Sequence, residues 1–524
     1  MSENDLPANW IRASLSDLGT WAGGGTPSKS EPSFWHGSIP WVSPKDMKTE
    51  FISDTEDHIT PTAIEQSATR LIPAESVLVV TRSGILERTL PVATTKKPVT
   101  INQDLKALTP REGVRARYVA LGLKAFEQRI LKDCTKSGTT VANVEFASFL
   151  RFELPLAPTE EQDRIIAEVE KQFTRLDASV EALKRVQAQL KRYRASVLKA
   201  ACEGRLVPTE AELARREKRD YEPADKLLAR ILKERRARWE ADQLAKMKAA
   251  GKLPKDDKWK AKYVEPVAPE TSGLPSLQSG WTWSTIDQLS SVVTKGSSPN
   301  WQGFDYCASG VLFVRSQNVG WGSLQLDERV FLPHAFNEKE SRSVLADGDV
   351  LLNIVGASIG RVALATTELA GANINQAVAL IRPVVPSLGA YVLRYLLSPL
   401  AQQYIHREKV DVARANFSLA DVSEMPVPLP PLSEQQRIIF EAESRLSVGD
   451  AIELTLMSNE TRATRLRQAV LKTAFEGSLV PQDPRDEPSS KLLESISAAV
   501  ENKSLTKQGR VKQTTAVPKM KATR

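Results

Sequence analysis

The sequence is poor in the residues on which most enzyme active sites are built. Its four histidines, His36, His58, His334 and His406, are scattered without ligand spacing, which argues against a histidine-based metal hydrolase. The three cysteines, Cys134, Cys202 and Cys307, show no paired spacing. Neither a zinc site nor a disulfide framework is expected, and a reducing cytoplasm is the natural home. No GxxxxGK[ST] loop occurs, so nothing points to nucleotide hydrolysis. Gly23, Gly24 and Gly25 lack the preceding strand and following helix of a phosphate loop and read as a tight turn. The Asn/Asp-Pro-Pro-aromatic run of amino-methyltransferases is missing as well. The start is acidic without an apolar signal core, and no apolar run approaches membrane-spanning length, so a soluble protein is expected.

What the chain does have is size and repetition. Its 524 residues, 41% of them hydrophobic, suffice for more than one domain. The balance of 71 basic against 64 acidic residues, a net +7, fits a nucleic-acid partner without demonstrating one. The stretch from Pro155 to Pro208 is written again from Pro428 to Pro481 at a constant interval of 273 residues, with no insertion or deletion. Glu161, Gln162, Arg164, Ile165 and Ile166 return as Glu434, Gln435, Arg437, Ile438 and Ile439. Near the far end Glu203, Gly204, Leu206 and Val207 return as Glu476, Gly477, Leu479 and Val480.

A gapless repeat suits a helix spacer, because one extra residue rotates everything beyond it by about 100°. Each copy is predicted to start with a capping box, Thr159 to Gln162 and Ser433 to Gln436, and to stop at a glycine, Gly204 or Gly477. In the first copy Ile166, Val169, Phe173, Leu176, Val180 and Leu183 alternate in steps of three and four, the seam of a coiled coil. Gln187, Leu190, Arg194 and Val197 continue it with two polar breaks. Gly449, Glu453 and Glu460 interrupt the same register in the second copy. A helix of such length makes a rod of roughly 60 Å at 1.5 Å per residue.

Around these helices the chain divides into segments. Residues 1–154 mix short β-like runs (39–43, 76–83, 98–108) with a helical piece at 116–131 and read as an α+β domain. Residues 155–208 are the first long helix. Residues 209–273 are a charged, solvated helical segment followed by a linker rich in Pro, Gly and Ser. Residues 274–427 repeat the first domain in outline: Trp281 and Trp283 precede it as Trp10 precedes the first, and INQ at 374–376 answers INQ at 101–103. Residues 428–481 are the second long helix. Residues 482–524 end in a basic tail that reads as disordered and suited to a phosphate backbone.

This arrangement, with PLxPxxEQxRI entering each helix and EGxLVP leaving it, closely resembles the specificity subunit of type I restriction-modification systems, and the likeness covers nearly the whole chain. The resemblance implies an α+β fold of two homologous globular α/β target recognition domains, separated by two long helices that form an antiparallel coiled coil with pseudo-twofold symmetry. It implies a non-catalytic DNA-recognition role in which each globular domain reads one half of a bipartite, asymmetric double-stranded DNA target. The helices would set the spacer and dock two modification (methyltransferase) subunits, and restriction (motor-nuclease) subunits would join for cleavage. S-adenosylmethionine, ATP and Mg²⁺ would sit on those partners, leaving this chain without cofactor or metal.

Base edges in the major groove are read by Arg or Lys at guanine and by Asn or Gln at adenine, held on short loops. The candidates in the first domain are Lys29, Ser43, Lys45, Arg82, Ser83, Lys96, Lys97 and Lys136. In the second they are Lys295, Arg315, Gln317, Asn318, Arg361, Lys409 and Arg414. Lys136 and Lys409 recur at the 273-residue interval and so suit a phosphate better than a base. Asn102 and Asn375, also shared, are expected to be structural. Two other readings compete: the recognition subunit of a fused restriction-methylation enzyme cutting beside its site, and a coiled-coil scaffold without DNA specificity. An unrecognised nuclease is a third, and would predict metal-dependent cleavage by the purified chain.

Overall fold

A computed structural model describes residues 6–136, 141–407 and 417–498. Two helices dominate it, Thr159–Cys202 and Leu432–Phe475, each of 44 residues and starting 273 positions apart. Tertiary contacts divide the chain into two units, Met1–Leu183 with Met457–Arg524, and Lys184–Leu456. Each long helix therefore gives one half of itself to each unit. No helix among the described residues is long and apolar enough to cross a membrane.

In the first unit a five-stranded sheet runs in the order Gly19–Gly23, Leu105–Pro110, Val77–Val80, Val92–Thr95, Phe51–Ile52. A four-stranded sheet follows the order Asp57–Ile59, Trp35–Val42, Val99–Ile101, Leu71–Ile72. The apolar run Val77–Val80 is buried on both faces, as a central strand requires. Helix Ala116–Ala125 joins the sheet to the long helices in one core with Val77, Val79, Tyr118, Phe149, Ile165, Val169, Leu471 and Phe475.

The second unit repeats the plan with fewer strands. Ser290–Lys295, Val378–Pro383, Val350–Asn353 and Val362–Leu364 form one sheet, and Phe331–Leu332, Val311–Val314 and Asn373–Ile374 another. Helix Leu388–Leu396 takes the place of Ala116–Ala125.

Within each unit the two helix halves lie antiparallel. In the second, Leu190 lies against Gly449, Arg194 bonds Asp450 and Glu453, and farther along Val197 and Ala201 share a core with Ile438 and Ala442. In the first, Arg467 pairs with Asp177 and its guanidinium lies 4.7 Å from the Phe173 ring centre. Two of the interruptions read in the second copy, Gly449 and Glu453, thus have physical roles. A Cβ on Gly449 would meet Leu190 Cδ1 at 3.1 Å, so glycine there makes room for leucine across the seam. Glu453 answers the polar break at Arg194.

The helix starts correct the expected capping boxes. Thr159 is already helical and its hydroxyl donates to the Gly113 carbonyl, so it does not cap. Ser433 likewise lies inside its helix, which starts at Leu432. The glutamines instead tie each helix to the chain before it without capping its N–H groups: Gln162 Nε2 donates to the Ala157 carbonyl at 2.9 Å, and Gln435 Nε2 to that of Pro430 at 2.8 Å. Beside them a buried carboxylate joins three segments. The Trp10 indole N–H donates to Glu161 and the Trp281 indole N–H to Glu434, each at 2.9 Å. The other oxygen of Glu161 accepts from the Gln482 side chain, and that of Glu434 from the Glu210 amide at 2.8 Å. Burial pushes both carboxyls above the usual range, against the donors. Arg164 then pairs with Asp486 at 2.5 Å, and Arg437 with Glu210 at 2.7 Å. In this way the start of one repeat is bound, within its unit, to the segment that follows the other.

The 209–273 segment is less solvated than its charge suggests. Helix Ala224–Ala249 buries Ala224, Leu227 and Ile231 against the second globular part, and Arg235 bonds Asp287, the Ser290 carbonyl and the Tyr263 hydroxyl. The linker folds back as well: Trp239 stacks on Trp259, and Thr285 donates to the Val267 carbonyl.

Candidate nucleic-acid interface

Three turns come together at one end of the strands in each globular part, and the two sets are built by the same hydrogen bonds. The first follows Val42 or Val314, where strands Trp35–Val42 and Val311–Val314 run parallel to Val99–Ile101 and Asn373–Ile374. Its backbone is held by a side chain three residues on: Ser43 N–H donates to Asp46 Oδ2 at 2.8 Å, and Arg315 N–H to Asn318 Oδ1 at 2.9 Å. The second turn follows Thr81 or Ile354, whose N–H groups bond the carbonyls of Asp104 (2.8 Å) and Ala377 (2.9 Å). In the third, Asn102 and Asn375 donate their N–H to the Val42 and Val314 carbonyls. Their Oδ1 atoms accept from the amides of Asp104 and Ala377.

In the first part these turns surround a shallow polar hollow of about 480 Å³, lined by Pro44, Arg82, Ser83, Gly84, Gln103, Asp104 and Val141. Its shape is that of an open surface site able to receive the edge of a larger polar partner, with Arg82 as the cation.

The structure brings part of the sequence-derived set to this place. Lys45 is exposed on the first turn, while the Ser43 hydroxyl donates to Asp46. Arg82 is exposed and Ser83 caps the short helix that follows. Lys136 pairs in register with Asn143, which also bridges to Arg82, so the two cations flank one strand. Lys29 is exposed on the loop after Gly25. Lys96 and Lys97 lie elsewhere, before the strand Val99–Ile101 whose far end carries the third turn. Lys96 sits over the Phe51 ring, and Lys97 pairs with Asp54 at 3.1 Å, which with His58 holds that carboxyl below its usual range.

In the second part Lys295 is exposed at a strand end beside the third turn. Arg315 donates to the Glu328 carbonyl and Gln317 approaches the Glu328 carboxylate at 3.4 Å. Arg361 follows the second turn, half-buried. Asn318 is 4% exposed, its amide engaged with Arg315 and Gln325, so it shapes the turn and presents nothing outward. Lys409 and Arg414 lie outside the described residues. Asn102 and Asn375 serve the third turn in the ways just given.

Sequence reasoning missed the residue beside each shared asparagine, Gln103 and Gln376, which sit at the apex of the third turn; the repeated INQ was the available signal. Among the described residues no group of three His, Cys, Asp or Glu side chains is arranged to hold a metal ion.

Comparison with known proteins accords with this geometry. The family model described as type I restriction modification DNA specificity domain matches residues 7–192 and 334–448, more than half of the chain. The specificity subunit of the Escherichia coli type I restriction enzyme EcoR124I/EcoR124II is 40% identical over 181 residues, 34% of this chain and 45% of that protein. The Methanocaldococcus jannaschii MjaIX specificity subunit is 32% identical over 164 residues, 30% of this chain and 37% of that one. The chain thus spans less than half the length of these two relatives. The Escherichia coli K12 EcoKI specificity subunit is 22% identical over 497 residues, 93% of both chains. A chain from a solved type I R-M system shares the fold with a TM-score of 0.61 at 18% identity, covering 90% of this chain and 99% of that one. The protein is a member of the type I restriction-modification DNA specificity family.

Proposed function

We propose that this chain is the sequence-specific DNA-recognition subunit of a type I restriction-modification complex, and that it catalyses nothing by itself. Each globular part reads one half of a bipartite, asymmetric target from the surface made by its three turns. The long helices set the spacer and dock two modification subunits, with restriction subunits joining for cleavage; S-adenosylmethionine, ATP and Mg²⁺ belong to those partners.

One observation carries the reading: the two parts share the backbone hydrogen bonds of the three turns but not the side chains that the first two turns present. Ser43, Lys45 and Arg82 of the first face, by equivalence, Arg315, Gln317 and Val355 of the second. A duplicated scaffold with different side chains suits two different half-sites, whereas a true dimer with identical readers would select a palindrome. Arg315 and Gln317 are chemically fit for guanine and adenine, and Arg82 for guanine.

The test is to express the chain with its modification subunits and map the methylated motif, then to exchange residues 1–154 for those of a relative. One half of the motif should change while the other half stays. A motif changed in both halves would refute independent reading, and methyl transfer by the isolated chain would refute the non-catalytic role.

A further inference from the structure

Comparing the two readers with each other separates what differs from what is held constant. Around the three turns Ser43 becomes Arg315, Lys45 becomes Gln317, Arg82 becomes Val355 and Asp104 becomes Ala377, while the asparagine and glutamine of the third turn stay the same. The asparagine faces inward: Asn102 and Asn375 hold the turn with both backbone N–H and Oδ1. The glutamine next to it does not. Gln103 is exposed and Gln376 half-exposed, and Gln376 has no side-chain partner among the described residues. Gln103 Oε1 accepts from the Thr26 hydroxyl, which leaves its Nε2 hydrogens directed at no described protein group.

Both glutamines stand on a turn that is braced from behind in the same way. A Cβ on Gly24 would lie 2.1 Å from the Ile101 carbonyl oxygen and 2.2 Å from that of Asn102. One on Gly296 would lie 1.8 Å from the Ile374 oxygen and 2.7 Å from that of Asn375. In each reader only a glycine lets the neighbouring strand end press against the turn, so the apex cannot withdraw. A neutral amide held on a rigid apex, identical in two readers of unlike sequences, carries no information that tells one half-site from the other. It needs a target that both half-sites possess. The acceptor present at every step of any duplex is the phosphate oxygen, and contacts to it set the register without specifying sequence.

Resting on the recognition role proposed above, we infer that Gln103 and Gln376 each donate a side-chain N–H to a DNA phosphate, the same contact made once per half-site, and that this contact seats the two readers in the same register. The divergent positions around it then discriminate between bases.

The experiment uses the complex with its modification subunits and two duplexes, one with the mapped methylation motif and one without it. Gln103→Ala and Gln376→Ala should each weaken binding about tenfold, as expected for the loss of a hydrogen bond to a charged acceptor. The loss should be the same on both duplexes, and the double variant should lose about a hundredfold. The methylated motif should be unchanged, and so should the salt dependence, because glutamine neutralises no phosphate. Gln103→Glu keeps an acceptor for Thr26 but faces the phosphate with a negative charge, so it should bind more weakly than Gln103→Ala while melting like the parent. This variant keeps the test decisive if the alanine variants fold poorly. Unchanged affinity, or a motif relaxed at one position of one half-site, would overturn the inference, the second outcome indicating a base contact. A parent complex that prefers neither duplex would instead defeat the recognition role itself.

Discussion

Replacing Trp281 by phenylalanine isolates the interaction that binds the start of the second long helix to its unit. The indole N–H donates to Glu434 Oε1 at 2.9 Å, inside a cluster in which Glu434 is fully buried and its other oxygen accepts from the Glu210 amide at 2.8 Å. Phenylalanine keeps most of the ring and removes the donor, so the carboxylate loses one of its two bonds in a place that water does not reach. A hydrogen bond to a charged group contributes about 1.5–3 kcal/mol, so a loss of about 2–3 kcal/mol is expected. For a unit of this size that corresponds to roughly 4–10 °C in melting temperature.

The pH dependence follows from the direction of the Glu434 shift. Burial raises its carboxyl above the usual range. Stability tied to that proton is therefore fully present below the unfolded carboxyl value and is lost as pH rises through the raised folded value. Removing a donor disfavours the charged form further. The Trp281→Phe penalty should thus be greatest where Glu434 is ionised and shrink as pH falls and Glu434 takes up its proton. Urea unfolding followed by circular dichroism across a pH series measures it, with hydrogen exchange of the Glu210 amide as the local probe. Trp10→Phe is an internal replicate, since Glu161 stands in the same relation to Trp10. A penalty independent of pH, or one below about 0.5 kcal/mol in both variants, would refute the argument.

The glycines that end the long helices should differ in tolerance. Gly477 (φ +71°) and Gly204 (φ +65°) are both left-handed, so alanine costs about 1–2 kcal/mol at either. Gly477→Ala should cost more, because its Cβ would meet the Pro7 ring at 2.2 Å, whereas Gly204→Ala meets the flexible Gln278 side chain at 2.5 Å; paired thermal melts decide it. Arg194→Ala and Arg467→Ala should each cost no more than about 1 kcal/mol and less in high salt, because their ion pairs are partly exposed. A larger, salt-independent loss in urea titrations would show that the helix seam depends on these pairs.

Much of the architecture was legible in the letters because it is written twice. A gapless interval of 273 residues is strong evidence for two equal rigid elements, and the seam from Ile166 to Val197 could be counted directly, since helix periodicity is a local property. The turn scaffold was partly legible too, as INQ recurs at the same interval.

What could not be read was decided by partners distant in the chain. The first capping box failed because the Gly113 carbonyl, 46 residues upstream, takes the Thr159 hydroxyl, while Gln162 ties the helix start to the Ala157 carbonyl. The glycine at 449 looks like a fault in a coiled coil until Leu190 is found across the seam. Among the candidate readers, sequence offered residue types and loops, but only the fold separates Lys45 and Arg82 from Asn318, which is buried in its turn, and from Lys97, which is paired with Asp54. Periodicity and repetition are carried by neighbours along the chain and survive in the sequence alone. Exposure and hydrogen-bond partnership are settled by segments that meet only when the chain is folded.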